Sequence, residues 1–427
     1  LLTAHDGRPA AGTADRGGDE EGGRTAPPLP LLVPIGPGEN PSHVQADLAR
    51  RVTRVPSRTD LVLRTSGSTT GTGRLIAMST AALVASAHAT HARLGGPGTW
   101  LLPLPTHHVA GLQILIRSLL AGTSPVVVDT STGFSPTALA DALRSARSVT
   151  DPTAGSTPAR LYVSLVPTQL VRVLRDPAAG QALAEADAVL LGGAAADPAL
   201  LARARRAGIN VVTTYGMSET GGGCVYDGVP LTGVSLRIES PDASGAGRIV
   251  VSGPVLAEAR LDGGAPSAAS ASRAFFVVRD GARELVTGDR GRLLPDGRLE
   301  VLGRLDDVII TGGVKVEPRY VEEALTGLEA VAEACVVGLP DEQWGSVVVA
   351  AVVCDLAAGQ EGSGSPDGAA LREAVRDRLD GAHAPKRVAI LETLPLLPSG
   401  KVDRRAVARL LAAATADETT EPPTPGP

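Results

Sequence analysis

From Asp60 to Thr213, short aliphatic runs alternate with longer amphipathic stretches, and this alternation restricts the possible folds more than any other feature of the chain. Leu61-Val62-Leu63 precedes a helix over Thr80 to Ala92, Trp100-Leu101-Leu102 a helix from Val109 to Leu120, and Val126-Val127-Val128 a helix near Pro136 to Ala146. Leu161 to Leu165, a helix from Thr168 to Leu174, Val189 to Leu191, a helix from Pro198 to Ala207 and Val211 to Thr213 complete the series. Strands that are apolar throughout are buried on both faces, so the pattern predicts an α/β domain with a parallel sheet covered by helices.

From Val225 to Leu302 the helical signals stop. Val234 to Ile238 and Arg248 to Val251 alternate with Gly/Pro/Asp turns, which predicts an antiparallel sheet or barrel. Gly263 to Ser272, rich in Gly, Ala and Ser, reads as a mobile excursion, and Pro295-Asp296-Gly297 as the turn of a hairpin formed by Gly291 to Leu294 and Arg298 to Leu302. The stretch from Gly303 to Gly313 follows, with Arg304, Asp306 and Asp307, a β-branched run and a Gly-Gly pair, and reads either as a charged surface turn before a strand or as a hinge. Beyond it the pattern is α+β. It has a helix with Pro318 in its first turn, strands over Ala334 to Val337 and Val347 to Val353, a helix from Ala369 to Leu379, and a last helix capped by Asp403 and running to about Ala413. The expected organisation is a flexible leader over 1–29, an N-terminal domain over 30–303, a small C-terminal lid over 304–413 and a disordered tail over 414–427.

Composition narrows the class of partner. Forty basic against 46 acidic residues give a net charge of −6, and the chain has only nine aromatics. Neither an electrostatic footprint nor stacking platforms for nucleic acid are present, and nothing favours an anionic membrane. The cysteines, Cys224, Cys335 and Cys354, are too far apart for a zinc motif. No apolar run reaches the roughly 18 residues that span a bilayer. The expected partners are small molecules and the default compartment is the cytoplasm, with a homodimer left open.

Thr65-Ser66-Gly67-Ser68-Thr69-Thr70-Gly71-Thr72-Gly73-Arg74 directly follows a strand. Hydroxyls interleaved with glycines suit a backbone that folds around an anion, so this is a phosphate cradle; it lacks the Gly-Lys-Ser/Thr ending of a Walker loop. Thr214-Tyr215-Gly216-Met217-Ser218-Glu219-Thr220 sits at the C-terminal end of a predicted parallel strand, where such sheets bind ligands. There Glu219 can hold Mg²⁺ and Tyr215 can lie along a flat base. Gly192, Gly193 and Ala194 offer a backbone wall one strand earlier, and Asp289 a carboxylate for ribose hydroxyls. Lys401, in Pro398-Ser399-Gly400-Lys401, reads either as a solvated charge or as a cation carried into a site by a mobile domain.

Together, in this order, these motifs resemble those of the adenylate-forming superfamily, which includes acyl-CoA synthetases, peptide-synthetase adenylation domains and luciferase. The likeness spans about residues 60 to 412. Leu102 to Leu112 with its His107-His108 pair, Leu165 to Leu170 and Gly223 to Gly228 are similar to the 2-succinylbenzoate-CoA ligases of actinobacterial menaquinone synthesis. The resemblance implies ATP, Mg²⁺ and coenzyme A as cofactors. It places Thr65 to Gly73 at the β- and γ-phosphates, Gly193 beside the adenine with Tyr215 stacked on it, Thr220 at the α-phosphate and Glu219 on Mg²⁺. It also puts Asp289 and Arg304 at the ribose, Asp306 at the hinge, Gly313 on the pantetheine channel, Lys315 near phosphate and Lys401 at the adenylation transition state. Here the loop ends Gly71-Thr72-Gly73-Arg74, where the family usually has Gly-x-Pro-Lys. His108, Arg117, Thr168 and Gln169 are expected at the acyl substrate, with Arg117 facing a second carboxylate. A carrier-protein-loading adenylation enzyme, a ligase for another aryl or fatty acid and a catalytically dead nucleotide sensor are the competing readings. The Thr106 to Leu120 stretch has no acidic residue for an amino acid's ammonium, and both Glu219 and Lys401 are retained.

Overall fold

The structure, a computed structural model, describes residues 2–4, 31–52, 54–65, 73–148, 160–261, 275–354, 367–379, 381–397 and 399–418. Most of the expected leader, Ser66 to Thr72 of the phosphate cradle, the Gly263 to Ser272 excursion and the last nine residues lie outside the described residues.

A seven-stranded sheet forms the centre of the N-terminal part. Its parallel strands Val126–Val127, Thr99–Leu102, Leu161–Leu165, Ala188–Leu191 and Val211–Met217 lie side by side in that order, and Gly222–Tyr226 returns antiparallel along the last of them. Alternate residues of each strand enter opposite cores. Leu101, Val163 and Leu165 pack with Leu139, Leu143, Leu170 and Leu183 of the covering helices. Trp100, Leu102 and Tyr162 pack on the other side with Ile114, Tyr226 and residues of the next sheet, including Ile249, Val251 and Leu285. That next sheet is antiparallel and contains Ser235–Glu239, Gly247–Ser252, Ala282–Leu293, Phe275–Arg279 and Leu299–Arg304.

Leu61–Arg64 does not join the parallel sheet, as its place in the alternation suggested. It pairs antiparallel with Leu75–Met78, a strand not read from the sequence, in a separate five-stranded sheet. The reason is chain length: Thr65 N donates to Arg74 O at 2.9 Å, so the connection is closed across ten residues, too short for a parallel crossover with its helix. Leu2–Ala4 pairs with Leu31–Val33 in this sheet, so the first residues of the expected leader form a strand.

The C-terminal part packs helices Pro318–Thr326, Gly368–Arg378 and Arg404–Glu418 around the strands Val331–Asp341, Gly345–Cys354 and Arg387–Ile390. Asp403 Oδ1 accepts from the amides of Arg405 and Ala406, capping the last helix, which continues past the expected end near Ala413 to Glu418 through an alanine-rich stretch of high helix propensity. The strands Ala282–Leu293 and Leu299–Arg304 place Asp289 opposite Arg304, where the chain passes into the C-terminal part. Leu143 is fully buried whereas Leu119 is 79% exposed. Leu143→Ala should therefore destabilise the N-terminal part by about 2 to 5 kcal/mol, and Leu119→Ala by less than about 0.5, as read from urea unfolding.

Candidate active site

A cleft of about 990 Å³ lies where the C-terminal edge of the parallel sheet, the antiparallel sheet and the C-terminal part meet. Strand Ala188–Leu191 ends in Gly192 and Gly193, and strand Val211–Met217 carries Thr214, Tyr215, Gly216 and Met217 along the wall. A Cβ on Gly192 would sit 2.1 Å from Thr214 Oγ1, so the wall closes only with glycine there. Gly193 has φ +84°, and a Cβ on it would lie 3.1 Å from Lys401 Cε. The lysine from the far end of the chain thus reaches the backbone wall of the parallel sheet.

Burial and the neighbouring charge of Arg304 lower the pKa of Lys401. Its ammonium has no hydrogen-bond or ion-pair partner among the described residues. The turn that carries it is held by Thr168 Oγ1, which donates to Gly400 O at 2.7 Å. Opposite, Tyr215 donates its hydroxyl to Asp289 Oδ2 at 2.8 Å, and Arg304 Nε lies 3.3 Å from Asp289 Oδ1 and 3.2 Å from Asp306 Oδ1. Burial raises the pKa of Asp289, an effect Arg304 opposes, and burial followed by the Asp289 charge raises that of Tyr215.

Glu219, on the single turn Ser218–Thr220, is 4% exposed and lines the cleft, and its carboxylate meets no cation among the described residues. A lone carboxylate fits Mg²⁺, which keeps several waters and takes its other oxygens from substrate phosphates. Thr65 and Arg74 line the same cleft, joined by a hydrogen bond from Arg74 N to Thr65 Oγ1 at 3.0 Å. Ser66, Gly67, Ser68, Thr69, Thr70 and Gly71 lie outside the described residues.

Arg117, 4% exposed, lines the cleft. Its guanidinium lies over the Trp100 ring, 4.9 Å from the centroid, and donates to the Tyr226 hydroxyl at 3.4 Å. No carboxylate among the described residues pairs with it. His108 precedes helix Val109–Ala121 without a side-chain cap bond and lines the cleft, and burial, with His107, Lys401 and Arg64 nearby, lowers its pKa to about 4.

Several expected contacts are absent. Gln169 accepts from Val166 N at 3.0 Å and donates to Pro103 O at 3.3 Å, so its amide is committed to shaping a helix start. Thr168 docks Gly400 instead of facing an acyl group. The Thr220 hydroxyl is fully buried, donating to Gly222 O at 2.7 Å, and it holds the turn under Glu219. Gly313 and Lys315 lie on the exposed hairpin Ile309–Thr311/Val314–Val316, away from the cleft lining. There Gly312 N donates to Trp344 O at 3.0 Å, and Lys386 Nζ stands 5.1 Å from the Trp344 ring. The sequence reading missed two anchors of the phosphate cradle: Glu39 pairs with Arg64 at its start, and Arg51 Nη2 donates to Gly73 O at 2.5 Å at its end. Both belong to or adjoin a helix, Pro41–Arg51, whose only sequence mark is the Asn40-Pro41 cap.

A lone carboxylate, a tyrosine-aspartate-arginine set at a sheet edge and a lysine from the C-terminal part thus face one cleft, an arrangement suited to an enzyme that activates a substrate with a nucleotide. The chain belongs to the AMP-binding enzyme family: residues 32–259 match that family and residues 320–401 match the AMP-binding enzyme C-terminal domain. Among its relatives, a probable 2-succinylbenzoate-CoA ligase of Mycobacterium tuberculosis is 43% identical over 399 residues, covering 92% of this chain and 97% of the relative. The o-succinylbenzoate CoA synthetase of Bacillus subtilis in complex with its acyl-adenylate intermediate superimposes with a TM-score of 0.63 at 29% identity, over 82% of this chain and 69% of that one. The same enzyme with ATP and magnesium ion gives 0.63 at 27% identity, over 81% and 69%.

The folded chain protonates His108 only near pH 4, against 6.5 for an ordinary histidine. The unfolded chain therefore binds the extra proton first, and the stability that neutral His108 confers is complete above pH 6.5 and lost as the pH falls toward 4. Thermal unfolding of His108→Gln across that window should show a shallower acid decline than the parent.

Proposed function

We propose that this chain is an ATP-dependent acid-CoA ligase that adenylates 2-succinylbenzoate and transfers the acyl group to coenzyme A in menaquinone biosynthesis, releasing AMP and pyrophosphate. The observation that carries the substrate assignment is Arg117, a buried cation without a carboxylate partner among the described residues, lining the same cleft as Glu219 and Lys401. A buried unpaired charge is costly, and a ligand with a second carboxylate relieves that cost. A fatty acid would leave Arg117 unpaired.

In the first half-reaction the substrate carboxylate oxygen attacks the α-phosphorus of ATP, and the bond from that phosphorus to pyrophosphate breaks. Lys401 and the Thr65 to Gly73 backbone oppose charge growing on the phosphate oxygens, and Asp289, Arg304 and Tyr215 hold the nucleoside. Mg²⁺, held by Glu219, supplies further neutralisation of the phosphates when bound. In the second half-reaction the coenzyme A thiol attacks the acyl carbonyl and AMP leaves. Gly313 serves this step, lining the pantetheine channel with Lys315 near phosphate, after the lid, residues 304–413, turns about Asp306 against the body, residues 30–303. The placement of Lys401 beside Gly193 supports assigning the present arrangement to the adenylation step. The compartment we assign is the cytoplasm; no helix among the described residues is long and apolar enough to cross a membrane.

Pyrophosphate release across a panel of carboxylic acids, with and without coenzyme A, tests the reading; faster turnover of benzoate or a fatty acid than of 2-succinylbenzoate would overturn the substrate. Arg117→Ala should raise KM for 2-succinylbenzoate by an amount equivalent to about 2 to 5 kcal/mol while leaving KM for ATP nearly unchanged, as steady-state kinetics will read. Lys401→Ala should abolish adenylation yet pass a preformed acyl-adenylate to coenzyme A, and equal loss in both half-reactions would contradict a lid with two working positions.

A further inference from the structure

Lys401 ends a long flexible side chain whose tip has no protein partner among the described residues, so its position depends on the base of its turn. That turn closes on itself: Leu397 N donates to Lys401 O at 2.7 Å and Gly400 N to Leu397 O at 2.8 Å. Leu396 and Val402 form an isolated antiparallel bridge beneath it. On the body side the turn is held by Thr168. On the lid side Val402 packs into the core of the C-terminal part, and Arg404, three residues after the lysine and the first residue of the terminal helix, adds a charged anchor.

The Arg404 guanidinium is shared among three parts of the lid. Nη2 donates to Glu322 Oε1 at 2.7 Å, on helix Pro318–Thr326, and Nη1 donates to Val336 O at 2.6 Å, on strand Val331–Asp341. Nε stands 4.0 Å from Asp307 Oδ2, immediately after the hinge residue Asp306. Glu322 Oε1 also accepts from Val336 N at 2.8 Å, so the carboxylate and the strand backbone close a ring around the guanidinium. Asp307, Glu322, Lys401 and Arg404 all line the cleft. A planar fork with five donors can satisfy a carboxylate, a carbonyl and a second carboxylate together, which a lysine ammonium on a flexible stem cannot hold in one geometry.

We infer that Arg404 is the positioning residue for Lys401: it ties the base of the lysine turn to the hinge and to the lid core, so that closing the lid delivers the ammonium to one point beside Gly193. This rests on the adenylation role given to Lys401 above. Transition-state contacts lose roughly a hundredfold in rate for a displacement of about 1 Å, so a loosened turn should lower the adenylation rate more than substrate binding.

The test uses the full-length chain as Arg404→Met, Arg404→Lys, Glu322→Gln and, for comparison, Lys401→Ala. Both half-reactions are measured, pyrophosphate release from ATP and acid, and thioester formation from a preformed acyl-adenylate and coenzyme A. Arg404→Met should lower the kcat of adenylation by about 30-fold or more, with KM for ATP and acid changed less than about threefold and the thioester step within about threefold of the parent. Arg404→Lys should recover part of that rate, and Glu322→Gln should show the same half-reaction split in milder form. If Arg404→Met does not fold, Arg404→Lys and Glu322→Gln decide the matter by that split. Adenylation at the parental rate, or equal loss in both half-reactions, overturns the inference. If Lys401→Ala itself spares adenylation, the role of the lysine falls and the positioning role with it; if Lys401→Ala loses adenylation and the Arg404 variants keep it, only the positioning role falls.

Discussion

The carboxylate of Asp289 joins three separate pieces of this molecule. It is 7% exposed, accepts the Tyr215 hydroxyl from the end of the parallel sheet, and faces Arg304 at the end of the antiparallel sheet. Arg304 in turn reaches Asp306, at the start of the C-terminal part. A buried carboxylate is tolerable only with such partners, so the two sheets and the segment after Arg304 must sit in register for any one of them to be satisfied. The cleft owes its shape to that requirement, because Tyr215, Asp289, Arg304 and Asp306 are members of one polar set.

Around this satisfied set stand three charges that the described residues leave without ionic partners: Glu219, Arg117 and Lys401. Other charges of the described residues are paired, as in the Arg237, Glu284 and Arg279 cluster or Arg292 with Glu300. Each uncompensated buried charge raises the free energy of the empty cleft, and a ligand of opposite charge would lower it again.

Much of this was legible in the chain. The apolar strands Leu161–Leu165 and Ala188–Leu191 are buried on both faces and can be read without tertiary information, and the Thr65, Tyr215, Asp289, Arg304 and Lys401 motifs owe their visibility to residue types that only phosphate and ribose chemistry requires together. What escaped depended on pairing rather than pattern. Leu75–Met78 is a strand of four residues with no alternation, and its presence redirected Leu61–Arg64 into a different sheet. Thr168 and Gln169 carry donors suited to a ligand, yet the lid turn and a helix start claimed them first, and no spacing rule shows which partner wins. Arg404 passes in the sequence as one of two adjacent arginines; only the fold shows it reaching Glu322 across 82 residues.

The chain has two tryptophans, and the fold sets them at opposite working parts. Trp100 lies fully buried beneath the Arg117 guanidinium in the N-terminal part, and Trp344 is 41% exposed against Gly312 in the C-terminal part. Intrinsic fluorescence therefore divides into a buried N-terminal signal and an exposed C-terminal signal with different solvent contact. Changes in the two parts are optically separable in the unlabelled chain, and quenching by a small solute reports mainly on the second.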